Sequence, residues 1–268
     1  MSNDEWIELS DLNQAEANRE LARRAGGAVH DEDGVAFCAS PYPLPVLANA
    51  VLPTGGRIGG ADLVARSRAF FAPRKRGFSI ILRAHADAGI ADEIRAAGLR
   101  DWGNSPAMVL ARRLPDAPPP AGIRVHRVES DADVADFANV MRLAYATYGL
   151  PHDAASVMLA HRQLLIAPHI ATFLARREDG TAVAGAMTIV THGVAGVYWV
   201  GTVPEARGRG LAELCTRVAG NAGFDLGGRI ASLQASEMGE PVYRRMGYVE
   251  VTRYPSLVQL TPPVGGGT

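Results

Sequence analysis

The stretch Gly201–Cys215 reads GTVPEARGRGLAELC, with two glycines alternating with two arginines between a β-type run and a helical one. Glycine has no Cβ, so successive backbone N–H groups can converge on one oxygen. The following helix adds its unpaired N–H groups and the positive end of its dipole, which favour phosphate. The chemistry on offer at Arg207, Gly208, Arg209, Gly210, Leu211 and Ala212 is therefore anion binding. Three nucleotide motifs fail the pattern. A P-loop would not follow its last glycine with Leu211. A dinucleotide fingerprint needs a third glycine where Glu213 stands, and it follows a βαβ unit rather than a meander. A kinase glycine loop lies between strands, not before a helix. No Gly-x-Ser-x-Gly elbow is present. His152, His161 and His169 lack the i, i+4 spacing and the carboxylate partners of a helical metal site, so no metal is expected.

The elements that must position this turn follow from patterning. IRVHRV (123–128) alternates as a strand. Ser130 or Asp131 caps a helix through DVADFANVMRLAYATYG that ends near Gly149-Leu150-Pro151, and a second helix covers Asp153–Ile166. ATFLARR, AVAGAMTIVT and AGVYWVGTV form a meander of hairpins across EDGT and HG. A helix over Leu211–Gly223, the strand RIASLQAS, a short helix at Glu240–Met246 and the strands YVEVTRY and SLVQL complete the order. The tail PPVGGGT reads as disordered.

RRLPDAPPPAG (112–122), with four prolines in eleven residues, divides the chain. We expect a first domain over 1–114, a linker over 115–122 and a second domain over 123–262. The first domain carries an echo of the second. Gly247 set over Gly98, an offset of 149 residues, lays GYVEVTRYPSLVQL on GLRDWGNSPAMVLA without a gap. GFSIILR then answers RIASLQA, and a helix over Asp62–Phe71 answers the one after the glycine turn. The shared order of elements reads as two related units.

At Arg207, Gly210 and Ala212 after Val203-Pro204 the sequence resembles the GNAT superfamily of acyl-CoA N-acyltransferases, whose signature is Arg/Gln-x-x-Gly-x-Gly/Ala. The order of elements over 123–260 is similar to that fold. LQASEMGEPVYRRMGY supplies its second motif, a strand, a short helix bearing Tyr243, then Gly247-Tyr248. The resemblance implies an α/β protein with a mixed sheet and two GNAT-like units in tandem, the first non-catalytic because LPTGGRIGGADL carries Gly56 in place of the arginine. It implies acetyl-CoA as cosubstrate and acetyl transfer to a primary amine. On that reading the backbone of 207–212 holds the pyrophosphate, with guanidinium contacts from Arg207 and Arg209. Gly201, Thr202 and Val203 pair with the pantetheine arm, and Gly201 also marks a bulge or close backbone approach. Ser236 donates to the coenzyme or caps the short helix. Tyr243 protonates the leaving thiolate. A backbone N–H near Trp199–Gly201 stabilises the oxyanion. The family's strand glutamate is missing from AGVYWVGTV, which leaves Glu237, Glu240, His192 or water as the base and admits a second reading, a coenzyme-binding sensor without turnover. Tyr145, Tyr148, Phe173 and Trp199 are core or acceptor-pocket residues.

Totals limit the partners. The net charge of −1 argues against a broad nucleic-acid face, and APRKRG (72–77) reads as a solvated loop. No apolar run is long enough to span a bilayer, so no membrane partner is expected. The start MSNDEWIELSDLNQ is acidic and polar, unlike a signal peptide. Cys38 and Cys215 suggest neither a disulfide framework nor a metal cluster, and a cytoplasmic setting follows. The acceptor, a small-molecule or peptide amine, the acyl length and homodimer formation stay open.

Overall fold

The computed structural model describes residues 1–47 and 49–261; the tail PPVGGGT lies outside them. Helix α1 (Asn3–Arg24) opens the chain, followed by β1 (Ala28–Glu32), β2 (Val35–Ala39), β3 (Asn49–Pro53), α2 (Gly60–Phe71), β4 (Phe78–Ile81), α3 (Ala91–Ala96) and β5 (Arg100–Leu110). The second unit comprises β6 (Ile123–Arg127), α4 (Asp131–Tyr145), α5 (Ala154–Met158), α6 (Arg162–Leu165), β7 (Ile170–Arg177), β8 (Ala182–Thr191) and β9 (Val194–Thr202). It continues with α7 (Leu211–Asp225), β10 (Ile230–Gln234), α8 (Glu240–Met246) and β11 (Val249–Gln259). All eleven strands join one sheet in the order β1-β2-β3-β4-β11-β5-β10-β9-β8-β7-β6. Of its ladders, β3–β4 and β9–β10 are parallel and the rest antiparallel.

Each unit contributes its last strand to the other. β11 pairs with β4 and β5 pairs with β10, while β5 and β11 run antiparallel along nearly their full length. Ser105 sits opposite Tyr254, its own counterpart at the offset of 149, so a pseudo-twofold axis passes between them. Both strands bulge at equivalent positions, Trp102 and Val251. The two short strands expected on either side of Pro255 are therefore one. Pro255 and Pro106, which would ordinarily break a central strand, both lie inside the ladder, opposite Asn104 and Arg253. The linker does not hang free: Leu114 N–H donates to Asn221 Oδ1, and Asn221 Nδ2 donates back to Leu114 O, tying it to α7.

The single helix expected over 153–166 is two short ones, α5 and α6, because the backbone extends at His161. The acidic start is α1, capped by reciprocal bonds between Ser2 and Glu5. It packs on β1 and β2 of the first unit and on β8 and β9 of the second. Its buried face is small and polar: Ser10, Asn13, Gln14, Ala15, Ala17 and Ala22. Asn13 Nδ2 donates to Ile189 O at 3.2 Å, Val194 O at 3.3 Å and Thr191 Oγ1 at 2.8 Å, and Tyr198 Oη donates to Asn13 Oδ1 at 2.6 Å. Gly196 permits this, since a Cβ there would lie 2.0 Å from Asn13 Oδ1. Asn13→Ala leaves these groups unpaired in the interior and should cost about 2–4 kcal/mol in urea unfolding. An unchanged midpoint would show that α1 is not pinned there.

Candidate active site

The anion turn sits where β9 ends and α7 begins. Gly208 and Gly210 both have φ of +74°, which glycine adopts freely and side chains resist, and a Cβ at either would meet open space. Leu211 is buried and anchors the first turn of α7, leaving the backbone of the turn and the Arg209 side chain toward solvent. Gly210 is the N-cap and has no side chain to close the helix end. Other long helices are closed: Ser2 caps α1 and Ser130 caps α4. The contrast with α2 bears most directly on the site. There Glu93 Oε2 accepts from Gly60 N at 2.7 Å and Ala61 N at 3.3 Å, so the first unit's own carboxylate occupies the position an anion would take. In α8 the residue equivalent to Glu93 is Val242, and the equivalent of Tyr243 in α3 is Ile94. A glycine cradle without a side-chain cap fits a phosphate ester, and among the described residues α7 has one while the start of α2 is closed.

Arg207 does not face the cradle. Its guanidinium donates to Ala144 O at 3.1 Å, Thr147 Oγ1 at 2.8 Å and Thr202 O at 3.3 Å, fastening the end of α4 to β9. Its expected guanidinium contact to phosphate is thus corrected to a positioning role, while Arg209 is exposed beside the turn. Gly201 is bare because α4 presses on it: a Cβ would lie 2.8 Å from Met141 Sδ and 2.9 Å from Ala144 Cβ. Val203 N–H is committed to Val183 O. By the alternation of an antiparallel ladder, Thr202 N–H then points away from β8, toward β10.

That direction is open. β9 and β10 pair only from Val194–Ile230 to Gly196–Ser232, after which β10 follows β5 and the two strands part. Beyond the parting, β9 bulges: Trp199 and Val200 together face the single residue Ala186 on β8, and Trp199 has a φ of +49°. Aromatic rings gather around the split. Tyr145 lies 5.1 Å from Trp199 and 5.8 Å from Tyr148, and Tyr243 lies 6.0 Å from Tyr248. Tyr148 Oη contacts Ser236 Oγ at 3.1 Å, while Ser236 Oγ also accepts from Gly239 N, the residue before α8, and caps no helical N–H. Phe173 is elsewhere, on β7, two strands from β9. Burial pushes the Tyr243 hydroxyl up to about 12, with the adjacent Thr216 hydroxyl pulling the other way.

Glu240 is paired with Arg244 at 2.7 Å, Glu237 is exposed, and His192 sits in the β8–β9 turn at the far end of β9 from Gly201. Among the described residues no cluster of His, Cys, Asp and Glu could hold a metal, and no helix is long and apolar enough to cross a membrane.

With this geometry in view, comparison with known proteins is direct. Residues 110–236 match the family model of the acetyltransferase (GNAT) domain. The chain is similar in fold to a GCN5-related N-acetyltransferase from Kribbella flavida, at 21% identity and TM-score 0.71 over 96% of each chain. It is similar to one from Sphaerobacter thermophilus at 17% identity and TM-score 0.61, over 95% of this chain and 93% of that one. It also resembles a tandem GNAT protein from the clavulanic acid biosynthesis pathway, at 13% identity and TM-score 0.57, over 84% and 78% of the two chains. No curated protein matches the chain in sequence. Residues 110–236 thus carry the match to the GNAT acetyltransferase domain, and the whole chain has the tandem form of the GNAT fold.

A cradle of this kind should respond to pyrophosphate itself. Millimolar inorganic pyrophosphate should raise the melting temperature of the wild type by a few degrees through binding to the folded state. Gly210→Val, which forces a β-branched residue to a left-handed φ, should remove that rise; an equal rise in the variant would place the anion elsewhere.

Proposed function

We propose that the second unit is an acetyl-CoA-dependent N-acetyltransferase acting on a primary amine. The observation that carries this is the open, uncapped α7 start beside a parted β9–β10 pair, in a unit of GNAT fold. The backbone N–H groups of 208–212 bind the pyrophosphate, and the α7 dipole adds to them. Thr202 N–H and the unpaired edge of β9 hold the pantetheine amides. Bound acetyl-CoA supplies the activated acetyl carbonyl and a sulfur leaving group.

The remaining work falls to this chain's side chains and backbone. A backbone N–H in the Trp199–Val200 bulge, where β8 offers one residue to two, is positioned to donate to the carbonyl oxygen as charge develops on it. As the C–N bond forms and the C–S bond breaks, Tyr243 gives its proton to the departing sulfur. Because burial raises Tyr243 to about 12, the phenol stays protonated through the neutral range and is available as a donor. The amine's own proton leaves through water, since Glu240 is held by Arg244 and His192 lies at the far end of β9. One observation favours a second reading, a coenzyme-binding sensor: no carboxylate stands on β9 to accept that proton.

Release of free thiol from acetyl-CoA with a panel of primary amines decides between the two. Amine-dependent turnover supports the enzyme, and tight coenzyme binding with no release from any amine supports the sensor. Within the enzyme reading, Tyr243→Phe should lower kcat by about 100-fold with coenzyme affinity nearly unchanged. The wild type should show no tyrosine-linked fall in kcat between about pH 7 and pH 10, because a raised pKa keeps the donor form present above neutrality. Equal turnover in the variant would remove Tyr243 from the reaction. Calorimetry should also find one coenzyme per chain, since Glu93 fills the first unit's helix start; two sites would contradict that closure.

A further inference from the structure

A small cavity of about 20 Å³ lies where the two units meet. α1 forms its floor, Cys38, Ser40 and Leu47 come from the first unit, and Met158, Leu164 and Trp199 from the second. Trp199 is the bulged residue of β9, so its indole is a wall shared between this cavity and the Tyr145–Tyr148 cluster at the split.

Two independent features mark the cavity as built for a ligand. The first is backbone strain. Five non-glycine residues have a left-handed φ among the described residues: Asp33, Leu47, Lys75, His192 and Trp199. Asp33, Leu47, Lys75 and His192 sit in turns, and of these four Leu47 alone is apolar. Leu47 (φ +66°) and Trp199 (φ +49°) are the bulky apolar ones, and both line this cavity. Strain of this kind costs about 1–3 kcal/mol per residue and collects at ligand clamps. The second is chemistry. No ionised side chain lines the cavity, and Leu47 stays 49% exposed at its edge although it is aliphatic. Its polar groups are already engaged: Asn18 Nδ2 donates to Gln14 O, and Ser40 Oγ accepts from Tyr42 N. Burial holds the Cys38 thiol protonated, pushed up to about 12, so it adds no charge.

The geometry points to an acceptor subsite completed by the first unit, which receives a compact aliphatic group attached to the primary amine, against Leu47 and the Trp199 indole. This rests on the acetyltransferase reading and deepens it. The first unit, closed to coenzyme by Glu93, then serves in substrate selection. A volume of about 20 Å³ is close to that of one water-sized group, so the terminal methyl of a short alkyl substituent fits and an aromatic ring does not.

The test is a series of methylamine, ethylamine, propylamine and benzylamine, assayed by thiol release and titrated by calorimetry into protein saturated with coenzyme A. Each methylene that enters should raise kcat/KM about fourfold, until the cavity is full. Benzylamine should fall below propylamine. Leu47→Asp, at a half-exposed turn position whose left-handed backbone Asp tolerates, should raise KM for propylamine at least tenfold while leaving coenzyme affinity as it was. Met158→Ala, which enlarges the cavity, should shift the optimum to a longer chain. A flat series, an unchanged KM in Leu47→Asp, or variants that alter preference for propionyl over acetyl thioester instead of the amine would each overturn the subsite. Should the protein take up no coenzyme A, the acetyltransferase reading fails. The alkylamines titrated into the protein alone then still decide the pocket by the presence or absence of chain-length-dependent binding.

Discussion

The antiparallel pairing of β5 with β11 is the constraint on which the rest of this molecule depends. Each strand belongs by sequence to one unit and by hydrogen bonding to the other. The exchange fuses two sheets into one and leaves no edge between them, so the two units cannot separate without breaking the ladders at the centre. It also fixes the active cleft. β10 is held by β5 along Ala231–Gln234, and that hold draws it away from β9 beyond Gly196. The parting that receives the coenzyme in our reading is thus a consequence of a strand supplied by the first unit.

Two units built on one plan differ in how a helix start is closed. In α2 a carboxylate from α3 satisfies the first N–H groups; in α7 nothing does, because Val242 stands where Glu93 stands in the other copy. An acid at a helix start is stabilising by itself, worth about 0.3–1 kcal/mol at an exposed position. Glu93 therefore has a structural reason to persist that owes nothing to binding. Closing one cradle and keeping the other open divides the labour in our proposal: α7 is left to bind, and α2 packs on the first unit's core of Phe37, Phe71, Phe78 and Ile80.

Much of the second unit was legible in the sequence. β8 and α8 run over the residues expected, and the glycine turn has the left-handed backbone its composition called for. The repeat at offset 149 pointed to a relation that the structure expresses as a pseudo-twofold axis. What stayed hidden had physical reasons. α1 buries serine, asparagine, glutamine and alanine, so its inner face carries no apolar period to read. Pro106 and Pro255 conceal the continuity of β5 and β11, because proline ordinarily ends a central strand. Arg207 belongs to the signature, yet its guanidinium serves α4; spacing alone cannot tell a charge that meets a ligand from one that fastens the loop. The closure of α2 depends on a pair 33 residues apart, beyond local pattern.

The strained Trp199 ties these strands of argument together. A bulge shifts the residues beyond it by one place relative to the partner strand, so Gly201, Thr202 and Val203 point as they do because Trp199 and Val200 share one partner. Without the extra residue, Gly201 would turn away from Met141 and Ala144, and a side chain would meet α4 instead. The same bulge aims the indole between the aromatic cluster at the split and the cavity under Leu47. One irregular residue thereby sets the face of β9 that our proposal gives to the coenzyme and also forms the wall against which an acceptor would rest. A regular strand could do one of these, since alternation assigns each residue to a single face; the left-handed backbone at Trp199 is what allows both.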